Sequence, residues 1–148
     1  MELKNNELFK ENCFIGGKWI ESNSGEKIDV DNPANGEIIG NVPKCSTSET
    51  SKAIDEAQKA FPAWRDKTAK ERSVILQKWA RLIEENVDDL AKIMTVEQGK
   101  PLAEAKGEIL MGVTYIDFYA EEGKRVYGDI ISDPMPDRRI VVIKQPVG

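Results

Sequence analysis

The chain begins with short apolar runs separated by turn-forming residues, a pattern typical of β-hairpins. Cys13-Phe14-Ile15 and Lys18-Trp19-Ile20 flank Gly16-Gly17, and two consecutive glycines supply the positive φ angles that a two-residue hairpin turn requires. Farther along, apolar residues alternate with polar ones on both sides of an Asn-Pro and an Asn-Gly pair; they are Ile28, Val30, Ile38, Ile39 and Val42. The pattern therefore predicts two hairpins within residues 12–45.

The next segment carries the signature of a helix start. Ser46 and Glu49 have the spacing of a capping box, in which each side chain accepts a hydrogen bond from the other residue's backbone N–H. The apolar positions that follow are spaced by three and four residues, and they are Ala53, Ile54, Ala57, Ala60, Phe61 and Trp64. Pro62 is predicted to bend or end this first amphipathic helix.

Two further amphipathic helices are predicted. The second covers about residues 69–98 and ends at Gly99; its apolar stripe contains Ile75, Trp79, Leu82, Ile83, Leu90 and Met94. The third begins near Pro101, and its apolar face contains Leu102, Ala105, Ile109, Gly112, Val113, Ile116 and Ala120. Gly107 and Gly112 lie inside this helix, where a glycine costs about 1 kcal/mol relative to alanine. We therefore expect both glycines to admit a neighbouring backbone or side chain.

The last part of the chain is predicted to be extended. Pro134 and Pro136 interrupt the segment after Gly128, and the β-prone run Ile140–Ile143 follows them. This strand leads into Pro146-Val147-Gly148 as if to connect to a further element. We therefore expect the chain to be a fragment of a longer protein.

Composition and charge exclude several function classes. The chain is 40% hydrophobic and 32% charged, which is the range of folded globular proteins. Its net charge is -5, with acidic and basic residues interspersed, so neither nucleic acid nor an anionic membrane is an expected partner. Residues 1–11 lack the apolar core of a signal peptide, and no later run approaches transmembrane length. The cytoplasm is the expected location.

Few residues are candidates for chemistry. The chain has no histidine, and its two cysteines, Cys13 and Cys45, form neither a CxxC pair nor a metal-binding spacing. With no histidine to activate either thiol, we interpret both as structural rather than nucleophilic. The glycines do not form a GxGxxG or P-loop motif, so no phosphate cradle is predicted. Trp19, Trp64 and Trp79 are interpreted as core anchors rather than a ligand-stacking set.

Four stretches, in the same order along the chain, resemble the aldehyde dehydrogenase superfamily. They are Phe14-Ile15-Gly16-Gly17-Lys18-Trp19, residues 32–40 (Asn-Pro-Ala-Asn-Gly-Glu-Ile-Ile-Gly), Glu97-Gln98-Gly99-Lys100-Pro101, and Lys144-Gln145-Pro146-Val147-Gly148. Within the superfamily, residues 95–105 and 119–129 look most like the succinate-semialdehyde dehydrogenase branch. The resemblance covers nearly the whole chain, from about residue 12 to residue 148.

The resemblance implies an α/β fold of which this chain is the N-terminal portion. That portion has two hairpins, three amphipathic helices and a terminal strand of the oligomerisation region, and the catalytic domain is absent from it. The implied reaction is NAD(P)-dependent: a cysteine thiolate attacks the aldehyde, the hemithioacetal passes hydride to NAD or NADP, and a glutamate-assisted water hydrolyses the thioester. Because the family's catalytic and cofactor-binding residues follow the Pro-Val-Gly segment, none is assigned here, and no cofactor is expected to bind this chain.

Two further implications of the resemblance fall inside the chain. Met111 matches a position that lines the substrate tunnel in related enzymes, although a methionine that fills a gap in the core is the plainer interpretation. Glu97, with the backbone carbonyl of Val30, matches a structural monovalent-cation site in some members, although a carboxylate beside a lysine is usually just solvated.

The resemblance also divides the chain and leaves two functions open. The divisions are an N-terminal tail (1–11), a β-hairpin region (12–45), a helical part of the cofactor-binding domain (46–128) and an extended segment of the oligomerisation region (129–148). The first function is that of a fragment, inactive alone, of a homo-oligomeric NAD(P)-dependent aldehyde dehydrogenase that oxidises succinate semialdehyde or a related semialdehyde. The alternative is a non-catalytic helical interaction module derived from that family. We expect self-association through the C-terminal strand, and open rather than closed apolar faces would favour the fragment.

Overall fold

The computed structural model describes residues 1–147, and in this part of the chain four α-helices and three two-stranded antiparallel sheets follow one another. The strands are β1 (Cys13–Ile15), β2 (Lys18–Ile20), β3 (Lys27–Asp31), β4 (Ile38–Pro43), β5 (Asp129–Ser132) and β6 (Arg139–Val142). The helices are α1 (Thr47–Arg65), α2 (Ala69–Glu85), α3 (Val87–Gln98) and α4 (Leu102–Glu122), with short 3-10 helices at Asn6–Leu8 and Gly123–Arg125. Within the described residues, no helix has the length and apolar character needed to cross a membrane.

Both predicted hairpins are confirmed. β1 pairs with β2 in the register Cys13 opposite Ile20, and the turn glycines Gly16 and Gly17 have φ angles of 60° and 78°. These two positive angles are what a tight two-residue turn demands, so the glycine pair determines this hairpin locally. β3 pairs with β4, with a register shift after Val30.

The capping box at the start of α1 is also confirmed. The side chains of Ser46 and Glu49 each accept a hydrogen bond from the backbone N–H of the other residue, and the helix begins at Thr47. Pro62 lies inside α1, which continues to Arg65. A proline this close to the C-terminal end interrupts little of the helix, and its own carbonyl accepts the N–H of Asp66 at 3.0 Å.

The prediction of one helix over residues 69–98 is wrong, because Asn86 divides it into α2 and α3. Asn86 has φ -109° and ψ 13°, outside the helical range, and its side-chain amide donates to the carbonyl of Leu82 at 2.8 Å. Its backbone carbonyl then accepts the N–H of Leu90 and starts the next helix. Asparagine competes with the helical backbone through such local hydrogen bonds. The helix is therefore interrupted at Asn86, although the apolar periodicity of the sequence continues across it.

The best-packed part of the described chain is the unit in which α4 lies against both α2 and α3. The hydrophobic residues that are fully buried are small: Ala80, Ala91, Ala105, Val113 and Ala120. Small side chains let helix backbones approach closely, which explains why this contact forms where the chain has alanine rather than leucine. Of the predicted face of α4, Ile109 and Ile116 are half-buried, whereas Leu102 and Gly112 are exposed.

The predicted core stripe of the second helix is wrong over α2. Ile75, Trp79 and Leu82 are exposed, and the face that meets α4 instead contains Ser73 and Ala80. The interpretation of the tryptophans as core anchors is also wrong, since all three are exposed and Trp79 keeps 55% of its surface in solvent. Ile83, the remaining residue of the predicted stripe on α2, is half-buried, so the stripe is only partly covered within the described residues.

The expectation that Gly107 and Gly112 admit a close neighbour is not met among the described residues. A Cβ built on either glycine would have no atom within 4 Å outside the helix's own backbone. At Gly128, by contrast, a Cβ would overlap the carbonyl oxygen of Val142, so this glycine is required where the C-terminal hairpin begins. The close approach therefore occurs at a glycine outside α4.

We expect Gly107→Ala to stabilise the chain by about 0.5–1 kcal/mol, because alanine restricts the unfolded backbone and meets open space in the folded helix. Urea unfolding followed by circular dichroism measures the change. Gly128→Ala is the matched control and is expected to be destabilising, since its new methyl group meets backbone. A Gly107→Ala variant less stable than the unmodified chain would show that Gly107 has a packing role.

The N-terminal segment is held against α3. The buried carboxylate of Asp89 accepts the backbone N–H of Asn5 at 2.9 Å, and Lys92 donates to the carbonyl of Glu2 at 3.0 Å. Burial alone would raise the pKa of Asp89, but the N–H groups of Asn5 and Lys4, together with Lys92, lower it below its ordinary value. Asp89 is thereby ionised and fixes the start of the chain on the helical unit.

The C-terminal segment forms a hairpin rather than a single strand. β5 and β6 pair in register from Asp129 opposite Val142 to Ser132 opposite Arg139. All eight strand residues are exposed, and within the described residues neither strand belongs to a larger sheet. The predicted β-prone run is confirmed as a strand, and its partner β5 was not predicted from the sequence pattern.

Candidate functional site

An open apolar groove of about 510 Å³ lies between α2, α3 and α4. We call it the helical groove, and its lining residues are Ile83, Leu90, Ile93, Met94, Glu97, Gln98, Ile109, Gly112 and Ile116. The buried hydrophobic residues of the three helices are small, and longer aliphatic side chains line the groove beside them. The groove is thus a gap between well-packed helices.

The chemistry of the helical groove suits apolar contact. Its only polar side chains are Glu97 and Gln98, and its lining provides neither a nucleophile nor a cationic group. A nicotinamide dinucleotide does not fit this lining, because its phosphates require backbone N–H groups or cations and would meet the carboxylate of Glu97. The groove can therefore receive an apolar surface, and no catalytic step is assigned to it.

Met111, the candidate tunnel residue, lies outside the helical groove. It is on α4 and keeps 59% of its surface exposed. Tyr115, Phe118 and Tyr119 share its helix face and are exposed as well. We call these four residues the α4 row. Nothing among the described residues covers this face, and whether Met111 lines a tunnel or fills a core gap stays a prediction.

The candidate cation ligands, Val30 and Glu97, belong to segments that approach each other. Val30 is half-buried in β3 opposite Gly40, and Glu97 is exposed near the end of α3. The ring of Pro33, in the loop after β3, lies 3.1 Å from where a Cβ of Gly99 would stand. Among the residues that the structure describes, no group of three or more His, Cys, Asp and Glu side chains is arranged to hold a metal ion.

A further apolar surface lies along α1. Ile54 and Trp64 are exposed, Phe61 is half-buried, and these residues border a shallow concavity of about 520 Å³. We call this surface the α1 face. Among the described helices and strands, β1 is the element with an appreciable contact to α1, so most of the apolar face that was predicted to be buried here remains open.

Glu49 connects the turn before β3 to the start of α1. Its side chain is almost fully buried, with 3% of the residue exposed, and its carboxylate accepts the N–H of Asn23 at 2.7 Å and that of Ser46 at 2.9 Å. The Ser46 hydroxyl and these N–H groups lower the pKa of Glu49 to about 2. The capping carboxylate therefore also binds the turn that precedes β3, a role that the sequence spacing alone did not reveal.

Acid is expected to weaken this connection. The pKa of Glu49 is near 4.5 in an unfolded chain and about 2 in the folded one, so its contribution is complete above pH 4.5 and is lost as the pH falls toward 2. We expect Glu49→Gln to lower the melting temperature at pH 7 by about 5 °C and to flatten its decline between pH 4.5 and 3. Thermal unfolding followed by circular dichroism at several pH values is the measurement.

The matched control is Glu85→Gln, which removes a carboxylate from an exposed position at the end of α2. Its melting temperature at pH 7 should stay close to that of the unmodified chain. Equal effects of the two substitutions would contradict the role assigned to Glu49.

The structure brings the two cysteines together, although the sequence places no second thiol near either. The Sγ atoms of Cys13 and Cys45 lie 3.5 Å apart, and both residues are half-buried free thiols. The pKa of Cys45 is raised, chiefly by its hydrogen bond with Cys13 and further by burial and the nearby Glu49. The pairing joins residues 32 positions apart, so no local spacing motif signalled it.

Comparisons with known proteins agree with this architecture. The sequence profile described as "Aldehyde dehydrogenase family" matches residues 19–148. The chain is 55% identical, over its full length, to glutarate-semialdehyde dehydrogenase of Pseudomonas putida and to succinate-semialdehyde dehydrogenase (NADP(+)) GabD of Escherichia coli, and it spans 31% of the length of each. It also superposes on the crystal structure of succinate-semialdehyde dehydrogenase from Burkholderia pseudomallei with a TM-score of 0.97 and 49% identity, covering 100% of this chain and 31% of that one.

The match to the family profile covers most of the chain, and the helices and hairpins described here are those of the superposed enzyme. The resemblance seen in the sequence motifs is thus confirmed, as is the correspondence with the N-terminal part of that fold. The chain belongs to the aldehyde dehydrogenase family.

Proposed function

We propose that this chain is the N-terminal part of an NAD(P)-dependent semialdehyde dehydrogenase that oxidises succinate semialdehyde or a closely related semialdehyde to the acid. The observation that carries the proposal is its 55% identity to curated relatives named for succinate and glutarate semialdehyde. NAD or NADP would be bound by the rest of the enzyme, since the helical groove does not fit a dinucleotide.

In this proposal the chain has a structural role: it covers and supports other parts of the enzyme. The helical groove, the α1 face and the α4 row are apolar surfaces that remain open in the described residues. Exposed apolar area on this scale usually marks surfaces that pack against another part of a protein. A self-sufficient helical module would bury these faces among its own elements, so the open surfaces favour the enzyme part over the alternative of a free-standing interaction module.

The reacting groups lie elsewhere in this proposal. The chain has no histidine, and the thiols of Cys13 and Cys45 face each other rather than the helical groove. We therefore infer that the chain alone is inactive. The proposed enzyme is a cytoplasmic homo-oligomer, and the exposed β5–β6 hairpin is the proposed site of self-association because its outer backbone edges are free to pair.

A chimera tests the proposal. The chain replaces the matching segment of the E. coli relative, so that it is joined to the remainder of that enzyme, and NADPH formation is measured with succinate semialdehyde and with glutarate semialdehyde. We expect the chimera to oxidise at least one of them, because the chain is 55% identical to the segment that it replaces. The 148-residue chain alone should form no NADPH.

Two controls accompany the chimera. The remainder of the E. coli relative without any N-terminal segment should be inactive, and a chimera whose segment carries the core substitution Val113→Asp should also lose activity. A folded chimera that binds NADP but oxidises neither semialdehyde would contradict the proposal. NADPH formation by the chain alone would contradict its inferred inactivity.

Three finer assignments rest on the family resemblance and are proposed with it. Met111 would line the substrate tunnel once the α4 row is covered. The carbonyl of Val30 and the carboxylate of Glu97 would hold a structural monovalent cation. The approach of Pro33 to Gly99 supports this assignment, because it brings the loop after β3 close to the end of α3. The division at residues 12, 46 and 129 would separate the tail, the hairpin region, the helical part and the oligomerisation segment.

A further inference from the structure

The paired thiols lie where two separate parts of the chain meet. Cys13 is the first residue of β1, and Cys45 lies between the end of β4 and Ser46, the N-cap of α1. Their Sγ atoms are 3.5 Å apart, and both residues retain partial access to solvent. A disulfide requires a separation of about 2.05 Å, so the two Sγ atoms would have to move about 1.5 Å closer to form the bond.

Hydrogen bonds fix the backbone on both sides of the pair. Cys13 is paired with Ile20 in the first hairpin. On the other side, the N–H of Lys44 donates to the carbonyl of Glu26 at 2.8 Å, and the capping box holds Ser46. Because ordered backbone holds each thiol, their proximity is a property of the fold rather than of one flexible side chain.

We propose that Cys13 and Cys45 form a redox modification site, at which a low-molecular-weight disulfide such as oxidised glutathione converts the two thiols into one intrachain disulfide. The bond would fasten the β1–β2 hairpin to the start of α1. This site is separate from the semialdehyde oxidation and does not depend on it.

The reaction is two successive thiol–disulfide exchanges. The thiolate of one cysteine attacks a sulfur of oxidised glutathione, which forms a mixed disulfide and releases one glutathione thiolate that takes up a proton. The thiolate of the second cysteine then attacks the protein sulfur of the mixed disulfide, forms the Cys13–Cys45 bond and expels the second glutathione. Two protein thiols are oxidised, and one glutathione disulfide is reduced to two glutathione molecules.

Because the two thiols are close together in the fold, we expect each to have a high effective concentration for reaction with the other. In an unfolded chain the two cysteines meet only by closing a flexible loop, which gives effective concentrations in the millimolar range. Groups held in contact by a folded structure react with far higher effective concentrations. We therefore expect the value in the folded chain to exceed that in the unfolded chain at least about 10-fold.

The experiment equilibrates the purified 148-residue chain in glutathione redox buffers, quenches it with acid, and quantifies the linked and unlinked cysteine peptides by mass spectrometry. The same titration in concentrated guanidinium chloride gives the unfolded reference. Circular dichroism monitors the helices, and sucrose in the native buffer favours the folded population. The oxidised chain should also melt roughly 5–10 °C higher than the reduced chain, and added reductant should abolish the difference.

Variants test the position of the thiols. Cys13→Ser and Cys45→Ser should each accept a single glutathione and form no intrachain bond. The double variant Cys13→Ser with Phe14→Cys keeps two thiols but moves one to the opposite face of β1, at an exposed residue. Its effective concentration should fall to that of the unfolded chain.

Two results would overturn the proposal. One is an effective concentration in the native buffer no higher than in guanidinium chloride. The other is glutathione bound at both cysteines of the unmodified chain without a linked Cys13–Cys45 peptide.

Discussion

Replacing Val113 with Asp is expected to abolish the cooperative unfolding of the three-helix unit formed by α2, α3 and α4. Val113 lies in the middle of α4 with 4% of its surface exposed, and the fully buried Ala105 and Ala120 flank it on the same face. A carboxylate there would be buried without a partner, which costs about 3–5 kcal/mol. This is a large share of the stability of a small domain. Urea unfolding monitored by circular dichroism measures the loss.

The matched control is Val74→Asp. Val74 is on α2 with 58% of its surface exposed, so the new carboxylate stays in water and should change the stability by no more than about 0.5 kcal/mol. A loss below about 1 kcal/mol at Val113, or equal losses at the two positions, would show that the α4 contact does not form the core.

Local features of the fold were predictable from the sequence because a few neighbouring residues determine them. Gly16-Gly17 supplies the two positive φ angles of the first turn, and Ser46 with Glu49 supplies both halves of a capping box. Gly99 ends α3 in the left-handed conformation that the sequence predicted for a helix C-terminus. None of these features depends on the remainder of the fold.

The buried face of α2 was not predictable in this way. Apolar residues occupy more than one side of the helix, and periodicity alone selected the stripe with the largest side chains, which includes Trp79 and Leu82. The buried residues of α2 are the small Ser73 and Ala80, and α4 is the helix that packs most extensively against α2, so we infer that this packing determines the buried face. The division at Asn86 has a similar cause, since a single side-chain hydrogen bond to Leu82 interrupts a pattern that is otherwise continuous.

The candidate site shows the same limit. The family motifs predicted the general role of the chain. The pairing of Cys13 with Cys45, which are 32 positions apart, depends instead on how the first hairpin packs against the start of α1. The approach of Pro33 to Gly99 is also a contact between distant segments. Contacts of this kind are set by tertiary structure, which spacing rules for short motifs do not describe.

The open apolar surfaces lead to the second large effect. The β5–β6 hairpin has apolar side chains on both faces, since Ile130 is opposite Val141 and Ile131 is opposite Ile140, and all four are exposed. A two-stranded hairpin with apolar faces and free edges is marginally stable alone and can pair with another copy. The α1 face and the helical groove add further apolar area. We therefore expect the isolated chain to self-associate at micromolar concentration and to bind apolar dyes.

Val142→Lys is expected to raise the monomer fraction severalfold. Val142 lies directly opposite Asp129, so a lysine there would form a cross-strand pair of opposite charges and preserve the hairpin while placing a cation on its edge. A charge on an edge strand opposes pairing with a second copy. Sedimentation velocity at several micromolar concentrations measures the distribution of species.

The control for this prediction is Val74→Lys, which adds the same charge to an exposed valine on α2, away from the hairpin. If both substitutions raise the monomer fraction equally, net charge rather than the β5–β6 edge controls association, because the two variants differ only in where the lysine is placed. An unmodified chain that sediments as a monomer and binds no apolar dye would contradict self-association altogether. That result would favour the free-standing module, since it would show that the chain stays monomeric in solution although its apolar surfaces have no cover in the described fold.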